Sequence, residues 1–408
     1  MAWLGHASII SMKITIFYRY YWPDTAPYAA MLKDMTKWFQ GANHDVEVIT
    51  AQPGYKPQAN ISKQAWREIV NDGVQVRRLI LFKETGTRSV KALNYAIYII
   101  RSFFIVLLGP HRDAVMAGTT PPVIQAWLLS FAAMIRGSKF IYHMQDIHPE
   151  ITSFKDGKMV KGPFFKLMQR MDIGALKRSS EIIVIGQDMA DVIARRGIEG
   201  NKITVIRNFS TINEDNENSP NKTNRLEKEL VRFVFAGNIG KFQNLESLVT
   251  AFAKLDSSKV RLVLVGEGRA KKDLIKMVHE EKILNVEFHD HMSQSEVFKF
   301  LLKQDVGLVS LLPGLYQYAF PSKIWTYVEA VLPMLAMVED DSEIATFLKS
   351  NNFGDSINWN SSSQNIADAI MSVAQKVRNN QYSLNENKHL FHSSVVKQNW
   401  IKMLDELR

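Results

Sequence analysis

The chain has 408 residues and is 46% hydrophobic, enough for two sizeable cores without covalent staples. It contains no cysteine, which excludes disulfides, thiolate metal sites and cysteine nucleophiles, and is compatible with a reducing cytoplasm. The formal charge of +9 is uneven: residues 1–208 hold 27 Lys+Arg against 16 Asp+Glu, the remainder 23 against 25, so the positive excess lies in the first half.

In chain order, residues 1–11, MAWLGHASIIS, lack the basic segment and cleavage site of a signal peptide and read as a leader, tag or upstream start. From residue 12, short β-rich runs alternate with longer helical patterns. The expected strands begin at Lys13 (KITIF), Asp45 (DVEVIT), Val74 (VQVRRL), Ala114 (AVMAG), Lys139 (KFIYHM), Glu181 (EIIVIG) and Lys202 (KITVI). Helices over 29–39, 123–135 and 162–178 supply right-handed crossovers between parallel strands. This is one doubly wound α/β domain, residues 12–208.

Within it, residues 92–108, ALNYAIYIIRSFFIVLL, form the most apolar run. Arg101 interrupts it and it falls short of the roughly 20 residues a spanning helix needs. It reads as a helix covering the sheet, with an interfacial helix as the competing reading. The basic half points to an anionic surface. With no zinc knuckle, basic zipper or ribonucleoprotein signature beside it, the inner face of a cell membrane is favoured over nucleic acid.

Residues 209–230, STINEDNENSPNKTNRLEKELV, are polar and asparagine-rich, and read as a linker or long surface loop. Alternation resumes with strands from Arg232, Val260, Val286, Val306, Pro333 and Gly354, giving a second doubly wound domain over 231–393. The last stretch, 394–408, is an amphipathic helix with Val396, Trp400, Met403 and Leu407 on one stripe, expected to return to the first domain. Each sheet offers ligand-accepting loops at its strand C-termini, so two such domains facing one another imply a substrate cleft.

Three strand-loop-helix junctions of the second domain carry the chemistry. FAGNIGKFQN places Gly237 and Gly240 in a turn before a helix, and LVGEG repeats the arrangement with Gly266 and Gly268, where glycine permits close backbone approach to a ligand. In FPSKIWTYVEAVLPMLAM, Ser322 reads as a helix cap and Lys323 falls in the first turn. A lysine beside the positive end of a helix dipole is unfavourable until an anion joins it, so the junction points to a phosphate or diphosphate, with a solvated lysine whose stem lies along the helix as the competing reading. The HDH triplet at 289–291 has ligand-like spacing, but no DxD-type carboxylate pair stands at a strand end and no metal site is expected.

The order FAGNIGKFQN, LVGEG, VEFHDHMSQSEV and FPSKIWTYVEAVLPMLA resembles the donor domain of retaining glycosyltransferases of family 4, with the GT-B fold. TTPPVIQAWLLS and YHMQDIHPE resemble the acceptor half of its bacterial surface-polysaccharide branch, similar to colanic acid and O-antigen fucosaminyl-type transferases. The resemblance spans about residues 12–405. It implies a metal-independent transfer of a hexosyl or N-acetylhexosaminyl group, an amino- or deoxy-sugar, from a nucleotide diphosphate, UDP foremost. The implied acceptor is a lipid-linked oligosaccharide of lipopolysaccharide or another surface polysaccharide, and no cofactor is implied.

Carried over residue by residue, the usual diphosphate-binding arginine and lysine fall on the neutral Asn238 and Gln243. The charge is then expected from Lys323, assisted by Lys241. The family's two glutamates fall on Tyr318 and Thr326; Thr326 retains one hydrogen-bonding group, and Glu329 is a candidate substitute. The customary glycine before the last donor-domain motif is replaced by Val331 or Leu332. The segment reaching His291 matches the base-binding turn. On the acceptor side, Gln145 replaces a common histidine, with Asp146, His148 and Glu150 following. Asp146 or Glu150 would orient or deprotonate the acceptor hydroxyl. Asp24, Thr25 and Ala26 occupy the first loop near the acceptor. Two other readings share these features: a GT-B nucleotide-sugar 2-epimerase, which needs no acceptor, and a non-catalytic scaffold in a polysaccharide complex.

Overall fold

The computed structural model describes residues 11–24, 26–54, 64–70, 73–83, 87–155, 158–159, 161–211, 229–240 and 243–408. Ten residues of the expected leader, 212–228 of the expected linker, Thr25 and Lys241 lie outside them. The chain divides into two compact units, one of Met1–Ser153, Val160–Arg207 and Val396–Arg408, the other of Phe154–Met159 and Asn208–Val395.

The first ten strands are β1 (Lys13–Phe17), β2 (Asp45–Ala51), β3 (Arg67–Val70), β4 (Val74–Leu79), β5 (Ala114–Gly118), β6 (Lys139–Met144), β7 (Phe154–Lys155), β8 (Lys158–Met159), β9 (Glu181–Val184) and β10 (Ile203–Val205). Short β7 and β8 pair only with each other; the rest form one sheet in the order β10-β9-β6-β5-β1-β2-β4-β3. Every pairing in that sheet is parallel except β3 against β4. Central β5 is buried throughout, as a parallel strand covered on both faces must be. Edge strand β3 was not legible because it is half-exposed and carries charge; its Glu68 meets the buried Arg78 guanidinium at 2.5 Å.

The apolar run lies in a helix, Arg88–Leu108, that starts four residues before it and reaches 21 residues. By length and composition it is long enough to cross a membrane, which removes the length objection raised from the sequence. Its inner face is nevertheless packed into the unit. Tyr98 is fully buried and donates to the Ile49 carbonyl at 2.7 Å, while Asn94 pairs with both backbone groups of Phe82. Helices Ile124–Ile135 and Pro163–Arg178 complete the same layer. On the helix Ser393–Glu406, buried Trp400 lies 5.5 Å from the Phe39 ring and 4.9 Å from His143, within the first unit.

In the second unit, β11 (Val231–Ala236), β12 (Val260–Val265), β13 (Val286–His289), β14 (Val306–Ser310), β15 (Met334–Met337) and β16 (Gly354–Ile357) form an all-parallel sheet in the order β13-β12-β11-β14-β15-β16. Its core joins Phe233 and Phe235 of β11 to Leu248 and Phe252 of the helix Leu245–Phe252 and to Ile370 of Ser363–Arg378. In both sheets the strand order reverses beside the first strand, between β1 and β5 and between β11 and β14. Open parallel sheets bind ligands at such a point, outside the strand C-termini.

Candidate active site

At the switch point of the second sheet, the turns after β11 and β12 are stitched together. Gly237 N–H donates to Val265 O and Ile239 N–H to Glu267 O, both at 2.9 Å, and Ala270 N–H returns to Ile239 O at 3.0 Å. A Cβ on Gly266 would stand 2.0 Å from Gly237 O, and one on Gly268 2.1 Å from Ile239 O. These two glycines therefore serve close approach of one loop to the next. Gly237, at φ +141°, has the left-handed backbone that favours glycine, and its open side faces the Lys323 ammonium, 3.6 Å from where a Cβ would stand. Gln243 accepts from Gly240 N–H at 3.1 Å, so its side chain shapes this loop.

Lys323 opens the helix Lys323–Glu329. The expected cap is absent: Ser322 has helical backbone angles and no side-chain cap bond, and the amides of Ile324 and Trp325 already donate to the carbonyls of Pro321 and Ser322. Two of the amides expected to be free are thus already paired, and the lysine is the charged group left at this junction. Its Nζ lies 3.2 Å from the centroid of the Phe235 ring, and no carboxylate among the described residues pairs with it. Burial pushes its pKa down to about 7, because a desolvated ammonium without a counter-ion is disfavoured.

Sequence reasoning passed over the residue that fixes this helix. Tyr327, one turn after Lys323, accepts from Ala236 N–H at 3.0 Å and lies within 3.3 Å of Val234 O, under the end of β11. Its ring fills the space a side chain at Gly307 would take, with a Cβ there only 2.6 Å away. The signal was present as a glycine in an otherwise apolar strand, which marks close approach by another group. Thr326 is half-buried on the same helix. Glu329 lies about 9 Å further along the axis and well around it, so the structure does not gather it with Lys323.

Two further loops leave the C-terminal ends of this sheet, one after β14 beside the switch point and one after the edge strand β13. After β14, Gly314 N–H donates to Glu339 Oε1 at 2.5 Å, tying that loop to the end of β15. The other Glu339 oxygen is buried without a hydrogen bond. After β13, Lys271 Nζ binds Glu267 Oε1 and Asp290 Oδ1, both at 2.7 Å, and His291 is exposed beside them. Among the described residues no group of three His, Asp or Glu side chains is arranged to hold a metal ion.

In the first unit the acceptor candidates lie at the C-terminal ends of β1 and β6. Buried Asp24 accepts from Gly54 N–H at 2.8 Å, and Ala26 is buried at the start of the helix Pro27–Gly41. Gln145 Nε2 lies 2.8 Å from Nε2 of His143, whose Nδ1 lies 2.6 Å from the Tyr28 hydroxyl. Burial lowers the His143 pKa to about 3 and the His148 pKa to about 4, the latter with help from Arg196, so both rings are neutral at physiological pH.

The two candidate carboxylates differ in circumstance. Glu150 is buried, ion-paired to Arg196 at 2.5 Å and hydrogen-bonded by Gln169 at 2.8 Å. Arg196 also holds Asp172, at 2.6 Å, which accepts from the Tyr142 hydroxyl. Glu150 is thus committed to a buried charge network. Half-buried Asp146 takes no partner from the described residues, and burial raises its pKa to about 6. It remains ionised at neutral pH and is a stronger base than an ordinary aspartate.

Residues 28–208 match the model of the glycosyl transferase 4-like domain, and residues 215–374 that of the glycosyl transferases group 1. The chain belongs to glycosyltransferase family 4. This glycosyltransferase is 24% identical over 327 residues to WcaI of Escherichia coli (strain K12), a protein assigned as a colanic acid biosynthesis glycosyl transferase, covering 77% of this chain and 80% of WcaI. Among solved structures it resembles Anabaena HepE in complex with UDP (TM-score 0.65, 16% identity, 97% of this chain and 100% of that one). It also resembles the sucrose-phosphate synthase of Thermosynechococcus elongatus (TM-score 0.72, 10% identity, 97% and 98%). The shared fold is GT-B, two Rossmann-like units each built on a parallel sheet.

Proposed function

We propose that this glycosyltransferase moves a hexosyl or N-acetylhexosaminyl group, an amino- or deoxy-sugar, from UDP to a hydroxyl of a lipid-linked oligosaccharide, with retention at the anomeric carbon. The reading places the reaction in the synthesis of a bacterial surface polysaccharide, at the cytoplasmic face of the membrane. The observation that carries it is Lys323, an ammonium with no carboxylate partner among the described residues, at the switch point of the second sheet and next to the backbone of Gly237. As the glycosidic bond breaks, the diphosphate gains negative charge. Lys323 supplies the opposing charge where it develops, with no metal required by this scheme.

The second unit holds the donor, with Asn238 and Gly240 on the diphosphate, Thr326 beside it, and the loop reaching His291 on the base. Gln145, His148 and the loop from Asp24 to Ala26 receive the acceptor, and Asp146 takes its hydroxyl proton. UDP is preferred because HepE binds it, and the polysaccharide context follows WcaI. Retention rests on the family resemblance.

The test is turnover of a panel of UDP-sugars, with and without a bacterial lipid extract. Transfer requires the extract, and Lys323→Ala lowers turnover by about 100- to 1,000-fold while the protein stays folded. Conversion of the nucleotide sugar without any acceptor would point instead to an epimerase, and no turnover at all to a scaffold.

A further inference from the structure

The helices Arg88–Leu108, Ile124–Ile135 and Pro163–Arg178 form one layer on the sheet of the first unit. Arg136, just past the second, donates to the carbonyl of Gly109, just past the first, and Arg178 of the third donates to Ser130 Oγ of the second. Their outward stripes are apolar. Of the seventeen large hydrophobic side chains exposed among the described residues, ten lie on these three helices, among them Ile100 (53%), Phe104 (49%), Leu108 (75%), Phe131 (41%) and Phe164 (72%). Only two of the seventeen lie in the second unit. Scattered exposed hydrophobics need no account, but a concentration on adjoining helices marks a contact surface.

Charge decides what the surface contacts. Between residues 87 and 139 the one acidic residue is Asp113, and along residues 161–178 it is Asp172, which is buried against Arg196. Lys91, Arg101, Lys161, Lys166, Arg170 and Lys177 are all exposed. Two such faces meeting in a symmetric dimer would oppose cation to cation. An apolar stripe bordered by lysine and arginine, with half-exposed Asp113 next to Arg112 and hydrogen-bonded by the Lys13 N–H as its one accessible carboxylate, instead matches an anionic bilayer, with rings at the acyl boundary and cations among the headgroups.

We infer that this three-helix face is a membrane-docking surface that seats the first unit on anionic lipid. The inference deepens the membrane location proposed above by naming the surface. The helices run back from the C-terminal ends of β4, β5 and β6, so their first turns adjoin the edge that carries Gln145 and Asp146. A lipid-linked acceptor would therefore meet those residues without leaving the interface.

The experiment is co-sedimentation with phosphatidylcholine vesicles, with and without 30% phosphatidylglycerol, of the full chain and two variants. F104E/F131E/F164E inserts charge into the apolar stripe, and K91Q/K166Q/R170Q removes border cations. The wild type should bind the anionic vesicles strongly and the neutral ones weakly. Each variant should bind at least 100-fold more weakly, for K91Q/K166Q/R170Q from about 1 kcal/mol for each cation removed, while keeping the wild-type melting temperature and UDP-induced shift. If only one variant folds, that one decides. Wild-type binding by the folded variants, or no preference for anionic vesicles, would overturn the inference, as would a solution dimer that the same substitutions dissociate. Absence of a UDP shift in the wild type, with wild-type vesicle binding intact and lost in the variants, would sink the transferase reading and leave the docking surface standing.

Discussion

Lys323 and Asp146 set the expected pH behaviour. Because burial holds the Lys323 pKa near 7, ligand-free protein loses the charge above that value, and a bound diphosphate restores it. Affinity for UDP should weaken roughly tenfold per unit above about pH 7. Titration calorimetry of Lys323→Met should show no such slope. The same shift has a stability consequence. A lysine whose folded pKa is depressed favours folding above its unfolded value and loses that contribution as pH falls toward 7. Lys323→Met should therefore melt with less pH dependence than the wild type between pH 10 and pH 7. At Asp146, raised to about 6, the base is lost on acidification. The profile of kcat/KM should be a bell with limbs near 6 and 7, reporting the free enzyme, and Asp146→Asn should be inactive at every pH.

Among the elements, the helix of Lys323 shows what could and could not be read from the sequence. Its position after FPSK and its lysine were legible, as were the parallel strands, because uninterrupted apolar runs mark buried strands. The missing Ser322 cap was not legible, since serine before a helix is the ordinary cap signal and only tertiary packing decides whether it is used. Nor was the role of Tyr327, whose hydrogen bond to Ala236 spans 91 positions. Two residues past the helix Lys323–Glu329, Val331, one of the two positions where the resemblance expects a glycine, is a β-branched residue at φ +51°. That backbone costs a branched residue about 1–2 kcal/mol, so Val331→Gly should raise the melting temperature by a few degrees in calorimetry. Gly268→Ala should do the reverse and weaken UDP binding, because its Cβ would collide with the Ile239 carbonyl.

Over the whole molecule, chemistry is divided as charge is. The first half, with its excess of cations, presents the apolar-basic face and the acceptor candidates; the second presents the proposed donor site. The C-terminal helix belongs physically to the first unit through Trp400, whose ring lies against Phe39 and His143. Trp400→Ala should cost about 3–5 kcal/mol of stability, read by denaturant unfolding, and should loosen His143 behind Gln145. The sequence period placed Trp400 on a buried stripe, whereas the His143–Gln145 pairing depends on side-chain directions that no local pattern encodes. The most direct test of the account is thermal unfolding of the wild type and Lys323→Ala with UDP. At 100 times its dissociation constant UDP adds about 2.7 kcal/mol, so the wild type should gain a few degrees and the variant none. An equal gain in both would contradict the placement of the diphosphate at Lys323, and no gain in the wild type at millimolar UDP would contradict UDP as the nucleotide of the donor.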